Sequence, residues 1–245
     1  MANWSDPRTA AVDRATGVGA RSAAYDAGLR SYMLSVYNYM ASAVLLTGFV
    51  ALGFAATGLA ERVYLTMPLL GFVLKLAPLG FVFALSFGQA RMSQGTLQAM
   101  FWGFAVAMGL SLSTIFLQYA GTSIAGAFFA TAAGFAALSL YGYTTERNLT
   151  AMGSFLIVGL VGLIVASLVN VFLHSGPLSL VISVVGVLIF AGLTAYDTQR
   201  TKALYDQVAG TGWEGRTVIM SALNLYLDFI NMFLFILRLF GSSRN

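Results

Sequence analysis

Two aspartates lie in apolar stretches of this 245-residue chain. Asp228 is near the centre of ALNLYLDFINMFLFILRLFG (residues 222–241), and Asp197 closes an earlier apolar run in FAGLTAYDTQRTKA (residues 190–203). A carboxylate at bilayer depth costs about 2.5–3.5 kcal/mol on the insertion scale, so such residues usually mark an ion pathway or a proton relay. Two converging carboxyl groups cannot both ionise cheaply in a poorly hydrated site. Their oxygens also suit Ca²⁺, so a proton and Ca²⁺ would compete for the same site.

The last apolar stretch carries further polar side chains on the face of Asp228. At 100° per residue, Asn224, Asn231 and Arg238 fall with Asp228 inside a sector of about 80°. We interpret this stripe as facing the centre of a helix bundle and lining a path. The alternative is a seam of hydrogen bonds that only holds helices together. For Asp197 the alternative is an interface residue beside Arg200.

The composition of the chain indicates which kind of secondary structure carries these residues. Hydrophobic residues make up 58% of the chain and charged residues 9%, whereas soluble domains carry about 25% charged residues. Apolar stretches of roughly membrane-spanning length recur without strand-like alternation. The sequence therefore predicts an all-α integral membrane protein that sits in a lipid bilayer. We place its seven membrane helices at residues 33–57, 67–87, 95–117, 121–143, 153–173, 178–200 and 217–240.

Charge sets the expected orientation and domain limits. With the N-terminus in the cytoplasm, nine Lys and Arg residues lie inside and three outside, as the positive-inside rule requires. The last segment is long enough to span the membrane. If it re-entered instead, Arg238 and Arg244 would lie inside and the charge bias would be stronger. We expect a polar, partly disordered cytoplasmic tail (1–30), a transmembrane domain (31–241) and a short C-terminal tail (242–245). The net charge of +4 reflects flanking residues and does not predict nucleic-acid binding.

The sequence lacks the residues that several classes of enzyme require. There is no cysteine, and the single histidine is His174, at a helix end. GxSxG, HExxH and P-loop motifs are absent, so we expect neither an enzyme nor a cofactor.

Spacing leaves the separation of the two aspartates open. On these boundaries Asp197 lies near the cytoplasmic face and Asp228 near the midplane, roughly 16–18 Å from either end of its segment. They meet only if the sixth helix extends past Arg200 or the seventh begins deeper. Arg91 ends the second segment on the side of Asp197. An ion pair between Arg91 and Asp197 is geometrically possible, and a flanking positive-inside role is the alternative.

Both aspartate segments also resemble a known family. GLTAYDTQ (192–199) and LYLDFINMFLFILRLFG (225–241) are similar to the Bax-inhibitor family, the transmembrane Bax-inhibitor-motif proteins. SLYGYTTERNL (139–149) and ASLVNVFL (166–173) resemble its bacterial branch. The resemblance covers about residues 32–241. It implies seven transmembrane helices with the last one central and wrapped by the other six, in a bacterial inner membrane.

The resemblance also implies a function. Family members are associated with a pH-dependent Ca²⁺ leak whose proposed sensor, an aspartate pair, matches Asp197 and Asp228. An arginine at the end of the second helix, here Arg91, would latch the closed state. Bacterial members are linked to a membrane-bound ATP-dependent protease. Two hypotheses follow: a pH-gated Ca²⁺ pathway, or a non-transporting regulator that binds other membrane proteins and uses its aspartates structurally.

Overall fold

The computed structural model describes the backbone of residues 7–243 and the side chains of residues 23–243. Its regular structure is helical and comprises α1 (Pro7–Ala56), α2 (Leu59–Thr66), α3 (Pro68–Gly88), α4 (Gln94–Leu112), α5 (Ile115–Gln118), α6 (Gly121–Thr144), α7 (Thr150–Leu173), α8 (Gly176–Val208) and α9 (Glu214–Phe240). Seven helical stretches are long and apolar enough to cross a membrane, with the first taken from Ala23 and α4 and α5 counted together. The all-α, seven-span prediction is confirmed.

The first helix is longer than the apolar segment predicted at residues 33–57. No proline follows Pro7 before the end of α1 at Ala56, and alanine and arginine, frequent in its first half, are strong helix formers. The helix therefore continues from the membrane segment back through most of the polar tail. The part of the expected tail at residues 1–6 lies outside the described residues, as do residues 244–245 of the C-terminal tail.

The third predicted segment (95–117) is divided in the structure. α4 ends at Leu112, and the short α5 begins at Ile115. At the break, the Ser113 hydroxyl donates to the carbonyl of Leu110 at 2.7 Å and the Thr114 hydroxyl donates to that of Ser111 at 3.3 Å. Serine and threonine side chains that bond nearby carbonyls compete with the helix ladder, which hydropathy does not report.

The sixth predicted segment ended at about residue 200, but α8 continues to Val208. The prediction stopped where polar residues begin, whereas nothing in the following TKALYDQV stretch breaks a helix. The chain turns only at Gly210, whose φ of 69° lies in the left-handed region that glycine adopts at little cost. The extension places Asp197 well inside α8, with eleven residues still to follow.

The C-terminal helix lies at the centre of the bundle. In the apolar part of α9, 61% of the residues are buried, against 11% in α7 and at most 44% in any other span. α9 packs most extensively on α8 and also on α1, α6 and α4. α3 packs mainly on α4 and α7 mainly on α8, so those two helices are peripheral and do not wrap α9 equally with the rest.

Gly142 allows α6 to approach α8 closely. A Cβ atom at this position would overlap the carbonyl oxygen of Ala195, two residues before Asp197. Backbone atoms cannot move aside as a flexible side chain can. We predict that Gly142→Ala lowers stability by about 1–3 kcal/mol, or roughly 2–12 °C in melting temperature, measured by thermal unfolding in detergent.

Gly126 in the same helix is the matched control, because nothing lies within 4 Å of a Cβ built there. Gly126→Ala should leave stability unchanged or raise it, since alanine favours the helix over glycine by about 1 kcal/mol. Equal melting temperatures for the two variants would contradict the close crossing of α6 and α8.

Candidate functional site

The two aspartates meet where α8 and α9 pack together. Asp228 is 4% exposed and Asp197 is partly buried. Their carboxyl groups lie close enough to interact electrostatically and, when one of them is protonated, to hydrogen-bond to each other. Spacing alone did not show how far apart the two aspartates are. In the structure they lie next to each other, because α8 extends past Arg200 and packs against α9.

This contact has a chemical consequence. An ionised carboxylate only accepts hydrogen bonds, so a bond between two carboxyl groups needs a proton on one of them. The buried Oδ2 atom of Asp228 has no hydrogen-bond partner among the described residues. An ionised Asp228 would therefore be costly in this arrangement. A proton shared by the two groups satisfies the contact.

Two cavities meet at Asp197. One, which we call the vestibule, has a volume of about 680 Å³ and lies between the end of α3, the C-terminal half of α8 and the start of α9. The other, which we call the groove, has a volume of about 570 Å³ and lies between α7, α8 and α9. Asp197, Arg200 and Asn224 line both cavities, and Asp228 lines the groove. Asp197 therefore lies in the wall between the two cavities, with Asp228 on the groove side of it.

Of the polar stripe predicted on α9, the two asparagines lie at this site and Arg238 does not line it. Asn224 is exposed and lines both cavities, and Asn231 lines the groove. The Asn231 amide group donates to the carbonyl of Leu227 at 2.8 Å, so the atom it can offer to a cation is its oxygen. Arg238 lines neither cavity. Its side chain is exposed, and its guanidinium lies 5.5 Å from the centre of the ring of Phe235, which lines the groove.

Arg91 is not brought to the aspartates. Its side chain is exposed and is not among those that line the vestibule or the groove. Arg200 is the cation beside the pair: it follows Asp197 by one turn of α8, lines both cavities and, although exposed, interacts electrostatically with that carboxylate. The i, i+3 spacing of Asp197 and Arg200 was a usable signal, since residues at this spacing share a helix face.

A second polar contact of α9 was missed from the sequence. Tyr226 is fully buried, and its hydroxyl lies 2.7 Å from that of Thr47 in α1. The Thr47 hydroxyl donates to the carbonyl of Ala105 in α4 at 2.9 Å, so the tyrosine is the donor to Thr47. A buried tyrosine hydroxyl generally requires a partner, but the sequence does not indicate which helix supplies it.

The site has the right donor type for a hard cation but few donors. Ca²⁺ takes about six to eight oxygen ligands. The two carboxyl groups and the two asparagine amides supply part of such a set. Among the described side chains, no cluster of three or more His, Asp or Glu residues could hold a metal ion. These four side chains therefore supply fewer oxygen ligands than a complete Ca²⁺ site needs.

A helical bundle with a carboxyl pair buried against its central helix defines a polytopic membrane protein with an intramembrane acidic site. A family model described as "Inhibitor of apoptosis-promoting Bax1" matches residues 29–245. The chain belongs to this Bax inhibitor family, as its motifs predicted.

Bacterial relatives extend over almost the whole chain. A protein of Rickettsia prowazekii is 49% identical over 224 residues, which cover 90% of this chain and 93% of the relative. The Escherichia coli inner membrane protein YbhL is 42% identical over 220 residues, covering 89% and 94%. A protein of Caulobacter vibrioides is 41% identical over 230 residues, covering 89% and 91%.

Proposed function

We propose that this protein is a pH-sensitive Ca²⁺ leak pathway of the bacterial inner membrane, with its N-terminus in the cytoplasm, and that it transports rather than catalyses and needs no bound cofactor. The observation that carries this proposal is the contact of Asp197 and Asp228 in the wall between two cavities. The Escherichia coli relative YbhL is an inner membrane protein, which supports the location. The charge bias of the loops supports the orientation.

The proposed gate is the carboxyl contact itself. With one shared proton, the two groups bond to each other, and α8 and α9 stay closed at this level. Loss of the proton leaves two negative charges side by side in a poorly hydrated site, where they repel strongly. The charges then separate or bind a cation, and either outcome opens the wall between the vestibule and the groove.

The neighbouring side chains have distinct proposed roles. Asn224 and Asn231 supply amide oxygens along the path, on either side of Asp228 in the sequence. Arg238 lies towards the opposite end of α9 and would act on ions only at that exit. Arg200, rather than Arg91, is the cation beside Asp197, and it favours the charged form of that carboxyl group.

The sign of the pH dependence follows from the shared proton. In acid the pair keeps its proton and the wall is closed. As the pH rises the proton is lost, the site becomes anionic and Ca²⁺ entry increases. Because protons and Ca²⁺ compete for the same oxygens, raising the Ca²⁺ concentration should move the onset of flux to lower pH.

The test is Ca²⁺ entry into liposomes that contain purified protein and an internal Ca²⁺ indicator, over buffers from acid to mildly alkaline pH. The proposal expects flux above that of protein-free liposomes, rising with pH. Absence of flux at every pH, from protein shown to be folded by its melting curve, would overturn the transport proposal. It would favour the alternative, a regulator that binds other membrane proteins such as a membrane-bound ATP-dependent protease.

Arg200 provides an independent test of the gate. A neighbouring cation favours the charged form of a carboxylate, so Arg200→Gln should make the pair hold its proton to higher pH. We expect the flux–pH curve of Arg200→Gln to move upward by roughly one pH unit, the size of effect typical for a nearby opposite charge. The same liposome assay measures it.

Arg147→Gln is the control, because Arg147 lies in the exposed turn between α6 and α7 and lines neither cavity. Its curve should overlay that of the wild type. A shift with Arg91→Gln but none with Arg200→Gln would show that Arg91, and not Arg200, is the cation that acts on the aspartate pair.

A further inference from the structure

A third cavity lies on the other side of α9, between α1 and α6. Its volume is about 760 Å³, within the roughly 300–1,000 Å³ range of small-molecule sites. α1 and α6 both pack on α9, and Phe229 of α9 lines the cavity between them. We call this cavity the α1–α6 cleft. It is separate from the vestibule and the groove, and the proposed Ca²⁺ pathway does not use it.

The cleft has the length of one lipid leaflet. Its lining runs along α1 from Arg30 to Leu45 and along α6 from Tyr143 to Phe128, which is about 22 Å of helix on each side. This is about half of the ~40–45 Å thickness of a bilayer with its headgroups. Most of the lining is aliphatic or aromatic, as an acyl chain requires.

One polar side chain is buried in the apolar part of the cleft. Ser139 is 6% exposed, lines the cleft and has no hydrogen-bond partner for its hydroxyl among the described residues. A buried hydroxyl without a partner costs about 1–3 kcal/mol. Ser139 precedes Tyr143 by one helical turn, so it lies about 6 Å deeper in the cleft.

Positive charge is concentrated at one end of the cleft. Among the described side chains that line it, Arg30 is the only charged one, and it is exposed. Lys202 lies beside the same end, where its Nζ donates to the carbonyl of Tyr143 at 2.9 Å and sits 4.8 Å from the centre of that ring. A ligand in the cleft would therefore meet cations at the level where lipid headgroups lie.

We propose that the α1–α6 cleft binds an anionic phospholipid from the surrounding bilayer. Its phosphate pairs with Arg30, the Ser139 hydroxyl donates to an ester carbonyl oxygen, and one acyl chain follows the apolar wall past Phe229. The pattern of one charge at the headgroup level, one donor at the ester level and apolar residues below matches the order of chemical groups along a phospholipid. A helix of another membrane protein would not need that order.

The test compares phosphatidylglycerol with phosphatidylcholine of identical acyl chains. Purified, delipidated protein in a non-ionic detergent is titrated with each lipid, and bound lipid is counted by native mass spectrometry. We expect phosphatidylglycerol to bind the wild type more tightly. Arg30→Gln should reduce this preference roughly fivefold, the effect typical of one basic residue near an anionic surface. Ser139→Ala should weaken both lipids.

Filling the cleft separates specific binding from general lipid adhesion. Ala136 lines the cleft, whereas its exposed neighbour Ala137 does not. Ala136→Phe should abolish tight binding of both lipids, and Ala137→Phe should bind as the wild type does. Equal affinity of the wild type for the two lipids, an unchanged preference in Arg30→Gln, or normal binding by a folded Ala136→Phe protein would each overturn the proposal.

Discussion

Asp228→Asn is expected to abolish the pH dependence of Ca²⁺ entry while the protein remains folded. Asparagine has the size of aspartate but carries no charge, and its amide can donate to Asp197 without a shared proton. The closed contact between α8 and α9 is then kept at every pH. At every pH the flux of the variant should stay at the low level that the wild type shows in acid. At mildly alkaline pH this is a loss on the order of tenfold or more relative to the wild type, which corresponds to about 1.4 kcal/mol of gate opening that depends on the second charge.

Asp197→Asn should have the same effect, because the gate needs both charges. Glu146→Gln is the matched control, since Glu146 is exposed in the turn between α6 and α7 and should leave the flux curve unchanged. Melting curves of all three variants in detergent establish that they fold. A normal pH dependence in either aspartate variant would show that the pair is structural and that another group senses pH.

Tyr226→Ala is expected to cause the largest loss of stability among the substitutions considered. The ring is fully buried and packs edge-to-face on Phe104, with 5.1 Å between ring centres. Truncating a buried aromatic residue to alanine costs about 3–5 kcal/mol, and this one contacts both α1 and α4. Thermal unfolding of the purified protein in detergent measures the loss.

The hydroxyl of Tyr226 contributes a smaller part. Tyr226→Phe keeps the ring but removes the donor to Thr47, so we expect a loss of about 1 kcal/mol. Tyr141 serves as the control because it is 47% exposed, and Tyr141→Ala should change stability by less than about 0.5 kcal/mol. Equal melting temperatures for Tyr226→Ala and Tyr226→Phe would contradict the packing role of the ring.

Much of the fold was predictable because the bilayer is a stringent solvent. A segment that crosses it must satisfy its backbone internally and present apolar side chains to lipid, so composition alone predicts helices and their number. The interior position of Asp228 was predictable for the same reason, since a short carboxylate in an apolar helix cannot reach water. The family was predictable because the motifs around Asp197 and Asp228 are long and specific.

Other features depended on where helices end and which helices touch. Hydropathy marks the membrane boundary and not the helix boundary, so it ended the sixth segment near Arg200 and could not show Asp197 in contact with Asp228. It also could not choose between Arg91 and Arg200 as the cation beside the pair. The i, i+3 spacing indicated that Arg200 shares a helix face with Asp197, but it could not exclude Arg91, whose distance from the site depends on how α3 packs.

By itself, therefore, the sequence determined that this is a seven-helix membrane protein of the Bax inhibitor family with an acidic group buried in its last helix. The tertiary structure decided that the two aspartates meet, that Arg200 stands beside them and that α1 and α6 leave a cleft over Phe229. The physical reason is that burial and helix formation are local properties of a segment, whereas contacts and cavities depend on how the side chains of different helices pack.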